Sequence, residues 1–436
     1  MNRNLMHSLI QWKNSPQRKP LILNGARQTG KTWILKEFGK TEFKSTAYFN
    51  CDQNPMLKEI FREGYDIQKI IRNLSVINGE PIEKKETLIV LDEIQEIPEA
   101  LTALKYFCED APEYHVAAAG SLLGLSLHSG TGFPVGKVDI QKLYPMDFLE
   151  FVQAARGHEL AEIIERSPLE ELNALHTELT GLLREYYFTG GMPEAVNAYI
   201  NKKSPDEIRT IQDAILYAYE KDISKHAPPK DIQRIHMVWK SIPMQLAKEN
   251  KKFIYGAVKE GSRAKDFETA LQWLIDAGLV AKVSRVNKAA VPLKFYEDFN
   301  AFKLFMLDSG LMGALSETPA EQIIIGKNIF EEYKGAFTEQ FVFQQLQSRK
   351  NTSPMGIYYY SAADSKQELD FLLQNGSSLI PVEVKAEENL RAKSLHQFVT
   401  ERPGVHGVRL SMSPYRKQDW MTNIPLYASC RAWEIL

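Results

Sequence analysis

The sequence predicts an α/β protein in which a parallel sheet opens the chain and a second α/β layer closes it, with a helical region and a helix–helix–hairpin segment between. Three stretches carry that prediction. Pro20-Leu-Ile-Leu-Asn-Gly-Ala-Arg-Gln-Thr-Gly-Lys-Thr32 runs from an apolar strand through a glycine-containing loop into a helix. Thr87-Leu-Ile-Val-Leu-Asp-Glu93 reads as a buried parallel strand that ends in two carboxylates. Near the end, Glu368-Leu-Asp-Phe-Leu-Leu373 and Leu379-Ile-Pro-Val-Glu-Val-Lys385 read as adjacent strands that set acids among apolar residues.

The first stretch has the spacing G-x-x-x-x-G-K-[ST]. Its glycines permit backbone angles that let successive N–H groups turn inward around an anion. Gly25, Ala26, Arg27, Gln28, Thr29, Gly30, Lys31 and Thr32 are therefore expected to cradle the phosphates of ATP. Lys31 should reach the β- and γ-phosphates, and Thr32 should place its hydroxyl on Mg²⁺ at the N-terminus of a helix. In the second stretch Asp92 is expected to hold Mg²⁺ through water, and Glu93 to polarise the water that attacks the γ-phosphate. Tyr114-His-Val-Ala-Ala-Ala-Gly-Ser121 is a further strand; its terminal Ser121 either senses the γ-phosphate or merely ends the strand.

With 436 residues and 44% hydrophobic content, the chain is long enough for two or three domains with real cores. A net charge of −2 means that any affinity for nucleic acid must come from local patches. Three scattered cysteines, Cys51, Cys108 and Cys430, without a C-x-x-C, argue against a disulfide framework or a zinc site. No apolar run approaches the ~18–20 residues of a membrane span, so a cytoplasmic protein with no membrane partner is expected.

In chain order, residues 1–13 read as a packing helix, Thr46–Asn50 as a strand, Ile67–Ile77 as a helix, and Val138–Phe151 as a strand that turns helical and closes the sheet. From Met146 to Asp222 the pattern is helical, broken by Thr189-Gly-Gly-Met-Pro-Glu194. Lys230–Lys303 holds fourteen Lys/Arg against eight Asp/Glu and is locally basic. Its helices, followed by strands over Gly278–Val286 and from Phe295, fit a winged helix-turn-helix that either binds DNA or mediates protein contacts.

The closing layer begins with a helix carrying Glu339, then strands over 356–361, 368–373 and 379–385, then a helix from Asn389 to Val399. Asp370 and Glu383 should project to one face and share a divalent cation, Mg²⁺ or Mn²⁺, with Glu339 completing the shell. Lys385, two residues beyond Glu383, shares that face and can orient water against a scissile phosphate. Without metal the carboxylates should raise one another's pKa.

With these motifs in hand, the chain resembles over nearly its whole length the prokaryotic AAA-like ATPases that carry a C-terminal domain called DUF4143. Gly25-Ala-Arg-Gln-Thr-Gly-Lys-Thr32, Leu91-Asp-Glu-Ile-Gln95, Ala119-Gly-Ser121, Gly190-Gly-Met-Pro-Glu194, Glu368-Leu-Asp-Phe371 and Val382-Glu-Val-Lys385 fall in that family's order. The resemblance implies a P-loop AAA-like domain, a winged helix and a restriction-endonuclease-like domain of PD-(D/E)xK type. Where relatives show Gly-Arg, this chain has Gly136-Lys137, and lysine lacks the fork that bridges phosphate oxygens in an arginine finger.

The expected division is a P-loop ATPase domain over 1–152, a helical lid or linker over 153–228, a winged helix over 229–318 and a nuclease-like domain over 324–436. Expected partners are ATP and DNA or another nucleic acid; a single chain and a homo-oligomer both fit. ATP-coupled binding or metal-dependent cleavage of nucleic acid is one expected activity. A nucleotide-dependent switch or interaction protein, whose nuclease-like end does not cut, is the other. An open basic groove reaching Lys385 favours the first, and a covered Asp370 cluster the second.

Overall fold

The computed structural model describes residues 3–121, 133–248, 251–325, 331–349, 356–362, 367–386 and 392–432. The chain divides into two compact units, Asn2–Tyr144 with Asp276–Gly278, and Pro145–Ile275 with Leu279–Leu436.

The first unit is built on an all-parallel sheet of five strands, β1 (Leu21–Asn24), β2 (Ser45–Asn50), β3 (Thr87–Asp92), β4 (His115–Gly120) and β5 (Asp139–Lys142), in the order β2-β3-β4-β1-β5. Alternate residues serve opposite faces. Leu21, Leu23, Leu88, Val90, Ala117 and Ala119 pack with the helices Leu5–Asn14 and Lys31–Glu42. Ile22, Ile89, Leu91, Val116 and Ala118 pack with the helices Ile67–Asn78 and Pro98–Asp110. Because both faces are covered, β3 is buried throughout, which is why Thr87–Leu91 reads as an apolar run. An additional helix, Pro55–Arg62, is opened by Pro55 and by Asn54, whose side chain accepts from the Leu57 N–H.

The register sets Asn24 beside Gly120 and Leu91 beside Ala118. The carboxyl ends of β1, β4 and β3 therefore lie along one edge, where ligands of open α/β sheets bind.

In the second unit the helical region contains Phe148–Arg156, His158–Arg166, His176–Thr189, Pro193–Ile200 and Pro205–His226. The Gly190-Gly191 turn does more than separate two of them. The Gly191 N–H donates to Asp308 Oδ2 at 2.6 Å, the Met146 N–H donates to the Gly191 carbonyl at 2.7 Å, and Gln344 Nε2 donates to Asp308 Oδ2 at 3.0 Å. A Cβ on Gly191 would fall 1.9 Å from the Met146 carbonyl oxygen, so no side chain fits there. Burial pushes the Asp308 carboxyl up, against the N–H groups of Gly191 and Leu311 that stabilise its charged form.

The segment expected as helices and a hairpin holds the helices Ile232–Leu246, Tyr255–Val258 and Ala264–Asp276, then strands β6 (Val280–Val286) and β7 (Glu297–Met306). The second strand starts at Glu297 and not at Phe295, because Leu293–Tyr296 is a short 3₁₀ turn. The hairpin does not stand alone. β6 pairs parallel with β8 (Gly356–Ser361), so β6 and β7 extend one eight-stranded mixed sheet with β9 (Glu368–Asn375), β10 (Ser378–Lys385), β11 (Gly407–Ser411), β12 (Arg416–Lys417) and β13 (Met421–Pro425). The order is β12-β13-β11-β10-β9-β8-β6-β7.

The helix Glu331–Ser348 adds Phe343, which stacks on Phe305 of β7 at 4.5 Å. Leu395 and Phe398 of the helix Lys393–Thr400 join Val286, Tyr360, Leu369 and Met421 in another apolar layer. The expected start of that helix, 389–391, lies outside the described residues. Among the described residues no helix is long and apolar enough to cross a membrane.

Candidate nucleotide-binding site and a second carboxylate cluster

Residues 25–32 leave β1 and enter the helix Lys31–Glu42, as the strand–loop–helix pattern requires. A Cβ added at Gly25 would meet the Leu143 carbonyl oxygen at 2.4 Å, so the loop's entry depends on glycine. Lys31 is buried and turned back on the loop; its Nζ donates to the carbonyls of Gly25 at 2.9 Å and Ala26 at 2.8 Å. A phosphate oxygen, with full negative charge, is a better acceptor than either carbonyl. Burial brings the Lys31 ammonium down to about 8, against the pull of Glu93 and Asp92.

Thr32 Oγ1 donates to Asp92 Oδ2 at 2.6 Å, so hydroxyl and carboxylate already stand together, the donor set that suits Mg²⁺. Tyr48 OH donates to the same oxygen at 2.8 Å; burial and then this bond raise its phenol pKa. Glu93 follows β3 with a φ of 51°, a left-handed conformation that costs a non-glycine residue about 1–3 kcal/mol. Its Oε2 accepts from Gln95 Nε2 at 2.7 Å and from Ser121 Oγ at 3.3 Å. Ser121 reaches it because β4 is the neighbour of β3 in the sheet.

Arg27 and Gln28 are exposed on the loop, while Thr29 is buried and donates from Oγ1 to the Ala26 carbonyl at 2.9 Å. Lys137 pairs with Glu109 at 2.8 Å.

Three contributors have no role in the sequence reading. Arg3, just before the helix Leu5–Asn14, donates to the carbonyls of Thr29 at 2.9 Å and Tyr144 at 2.6 Å and braces the loop; nothing in the local pattern marks it. Tyr48 is an ordinary strand residue until β2 pairs with β3. Gln95 lies two residues beyond Glu93, and that spacing is the one signal available. Its side chain positions the Glu93 carboxylate, so Gln95→Ala should lower the turnover number roughly 10–100-fold. Nucleotide affinity should hold; a matching loss of affinity would make Gln95 a support of the loop instead.

The second cluster lies in the other unit. The antiparallel register of β9 and β10, whose last pair is Phe371 with Val382, brings Asp370 near Glu383, and Asp370 Oδ2 accepts the Val384 N–H at 2.7 Å. Lys385 Nζ lies 2.7 Å from Glu383 Oε1. Glu339, fully buried on the helix Glu331–Ser348, meets the same group.

Two lysines from outside the expected set enter as well. Lys303 of β7, whose side chain is 1% exposed, lies 3.2 Å from Glu339 Oε2, 3.8 Å from Asp370 Oδ1 and 3.9 Å from Glu368 Oε1. Lys251 pairs with Glu339 Oε1, and Lys252 lies 3.6 Å from Glu368 Oε2. Burial and Asp370 push both Glu339 and Glu383 up to about 7. Asp370 goes the other way. Burial opposes its charge, but Lys251 and Lys303 hold its carboxyl below the ordinary range. Among the described residues, no three His, Cys, Asp or Glu side chains are gathered as a metal ion would need.

The parallel sheet and the loop at its carboxyl edge define a P-loop nucleotide-binding domain. Sequence comparison gives it a more particular place: residues 17–152 match the AAA domain and residues 334–428 the domain of unknown function DUF4143. The chain thus has the two-domain architecture of the AAA-like ATPases that carry DUF4143. The AAA domain supports ATP binding and hydrolysis, with a nucleotide and Mg²⁺ as its usual ligands. Residues 180–322 match a further domain of unknown function, DUF8612.

No curated protein matches the chain. Among solved structures it is similar to the Walker-type ATPase PABY2304 of Pyrococcus abyssi, at 14% identity over 72% of this chain and 95% of that one, with a TM-score of 0.45. It is also similar to the ORC1 protein of Aeropyrum pernix, solved in complex with DNA, at 14% identity over 73% and 91% with a TM-score of 0.26.

Proposed function

We propose that this chain couples ATP hydrolysis to nucleic-acid binding, and that its nuclease-like end does not cut. The observation that carries the reading is the Glu93 carboxylate, held by Gln95 and Ser121 beside the Lys31 loop and the Thr32–Asp92 pair. Residues 25–32 bind the phosphates through backbone N–H groups, and Lys31 exchanges its two carbonyls for phosphate oxygens. Thr32 and Asp92 would hold Mg²⁺, which would supply positive charge against the phosphates. Glu93 takes up the proton of the attacking water and stays aimed by its two donors. Ser121 ties Glu93 to the end of β4.

The helices Ile232–Leu246, Tyr255–Val258 and Ala264–Asp276 with the β6–β7 hairpin have the order of a winged helix. Phe295, in the hairpin connection, is 82% exposed and Phe299, near the start of β7, 71%, with Lys288 and Lys294 exposed near them in sequence. Bare aromatic rings interleaved with lysines suit nucleic acid, since bases stack on the rings and phosphates meet the ammonium groups. The logarithm of DNA affinity should therefore fall linearly with log salt. Replacing Phe295 and Phe299 with Ala should weaken it by about 1–3 kcal/mol for each stacked base. Binding indifferent to salt and to both rings would leave this segment a protein-contact module.

The deciding experiment measures ATP turnover with and without DNA while following the DNA in Mg²⁺ and in Mn²⁺. Turnover that responds to DNA, with the DNA left whole, is the expected result. Cleavage lost in Asp370→Ala would establish the opposite reading of the C-terminal layer.

A further inference from the structure

We infer that the carboxylate cluster of the eight-stranded sheet is neutralised by the chain's own lysines, Lys303 above all, and does not take the divalent cation that a nuclease-like fold implies. This deepens the reading of that layer as non-cutting and rests on it.

Four acids, Glu339, Glu368, Asp370 and Glu383, face four ammonium groups, Lys251, Lys252, Lys303 and Lys385, so their negative charge is offset without a metal. Adding a divalent cation would leave a buried excess of positive charge, which is costly unless a lysine departs. Lys303 is poorly placed to depart. It is fixed in β7, with its Cα partner Val283 on β6 and with Phe302 and Leu304 buried on either side. The acceptors are also committed. Asp370 Oδ2 accepts the Val384 N–H at 2.7 Å while Oδ1 faces Lys303, and the two oxygens of Glu339 are divided between Lys251 and Lys303. Mg²⁺ binds oxygens at about 2.0–2.1 Å in a near-octahedral shell. Among the described residues no three His, Cys, Asp or Glu side chains are gathered as such a shell would need.

The test is a Mn²⁺ titration of the full chain without nucleotide, following free Mn²⁺ by electron paramagnetic resonance, in wild type and in Asp370→Asn. ATP turnover, nucleic-acid binding and cleavage are measured on the same preparations. Equal Mn²⁺ uptake by the two proteins is expected. One extra equivalent in the wild type would overturn the inference. If the DNA nevertheless stayed whole, the proposed function would survive that result; if it were cut, both would fall.

A second measurement addresses Lys303 directly. Lys303→Met should lower the Tm by leaving Glu339 and Asp370 short of positive charge, and adding Glu339→Gln should recover part of the loss. An unchanged Tm in Lys303→Met would overturn the role given to that lysine. Should this variant fail to fold, the comparison of wild type with Asp370→Asn still decides.

Discussion

Lys31→Ala is expected to abolish measurable ATP turnover, a loss of at least roughly 10²–10³-fold, the scale seen when one preorganised electrostatic contact to a transition state is removed. The side chain does two things at once. Its buried ammonium is the charge expected to meet the β- and γ-phosphates, and its bonds to the Gly25 and Ala26 carbonyls tie it to the loop that receives them. Ground-state affinity should fall as well, because the phosphates carry charge before the reaction begins. Steady-state turnover and equilibrium nucleotide binding measure the two losses separately. Wild-type turnover in the purified variant would remove the loop from the mechanism.

Glu93→Gln should separate chemistry from binding. The amide keeps nearly the size and shape of the carboxylate, and its oxygen can still accept from Gln95 and Ser121, but it cannot take a proton from water. Turnover should drop roughly 10²–10⁴-fold, the range for loss of a general base, with nucleotide affinity close to wild type. The left-handed backbone at Glu93 is untouched by this substitution, so stability should change little. If affinity fell in step with turnover, Glu93 would be a metal ligand or a structural acid.

The phosphate-binding loop and the acids at the end of β3 were legible in the sequence because each is a local device. A loop that must wrap an anion needs glycine, lysine and threonine at fixed offsets, and a strand buried on both faces must be continuously apolar before its polar end. The nearness of Asp370 to Glu383 followed from the two-residue period of two adjacent strands. Partners brought from a distance were not legible. The order β2-β3-β4-β1-β5 sets Ser121 beside Glu93, and Arg3 reaches a loop carbonyl 26 positions away.

The same division runs through the second cluster. An acid–apolar–acid pattern states that carboxylates converge, but not what compensates them. Lys303 stands 36 positions from Glu339 and Lys251 stands 88; Lys303 reaches it because β6 pairs with β8 and carries β7 into the C-terminal sheet, and the Lys251 segment is joined to β7 where the Phe253 N–H donates to the Phe302 carbonyl. Charge compensation depends on distance in space, which the packing of remote segments sets. The sequence by itself therefore determined which residues are chemically equipped, and the tertiary structure alone decided which charges stand within reach of one another.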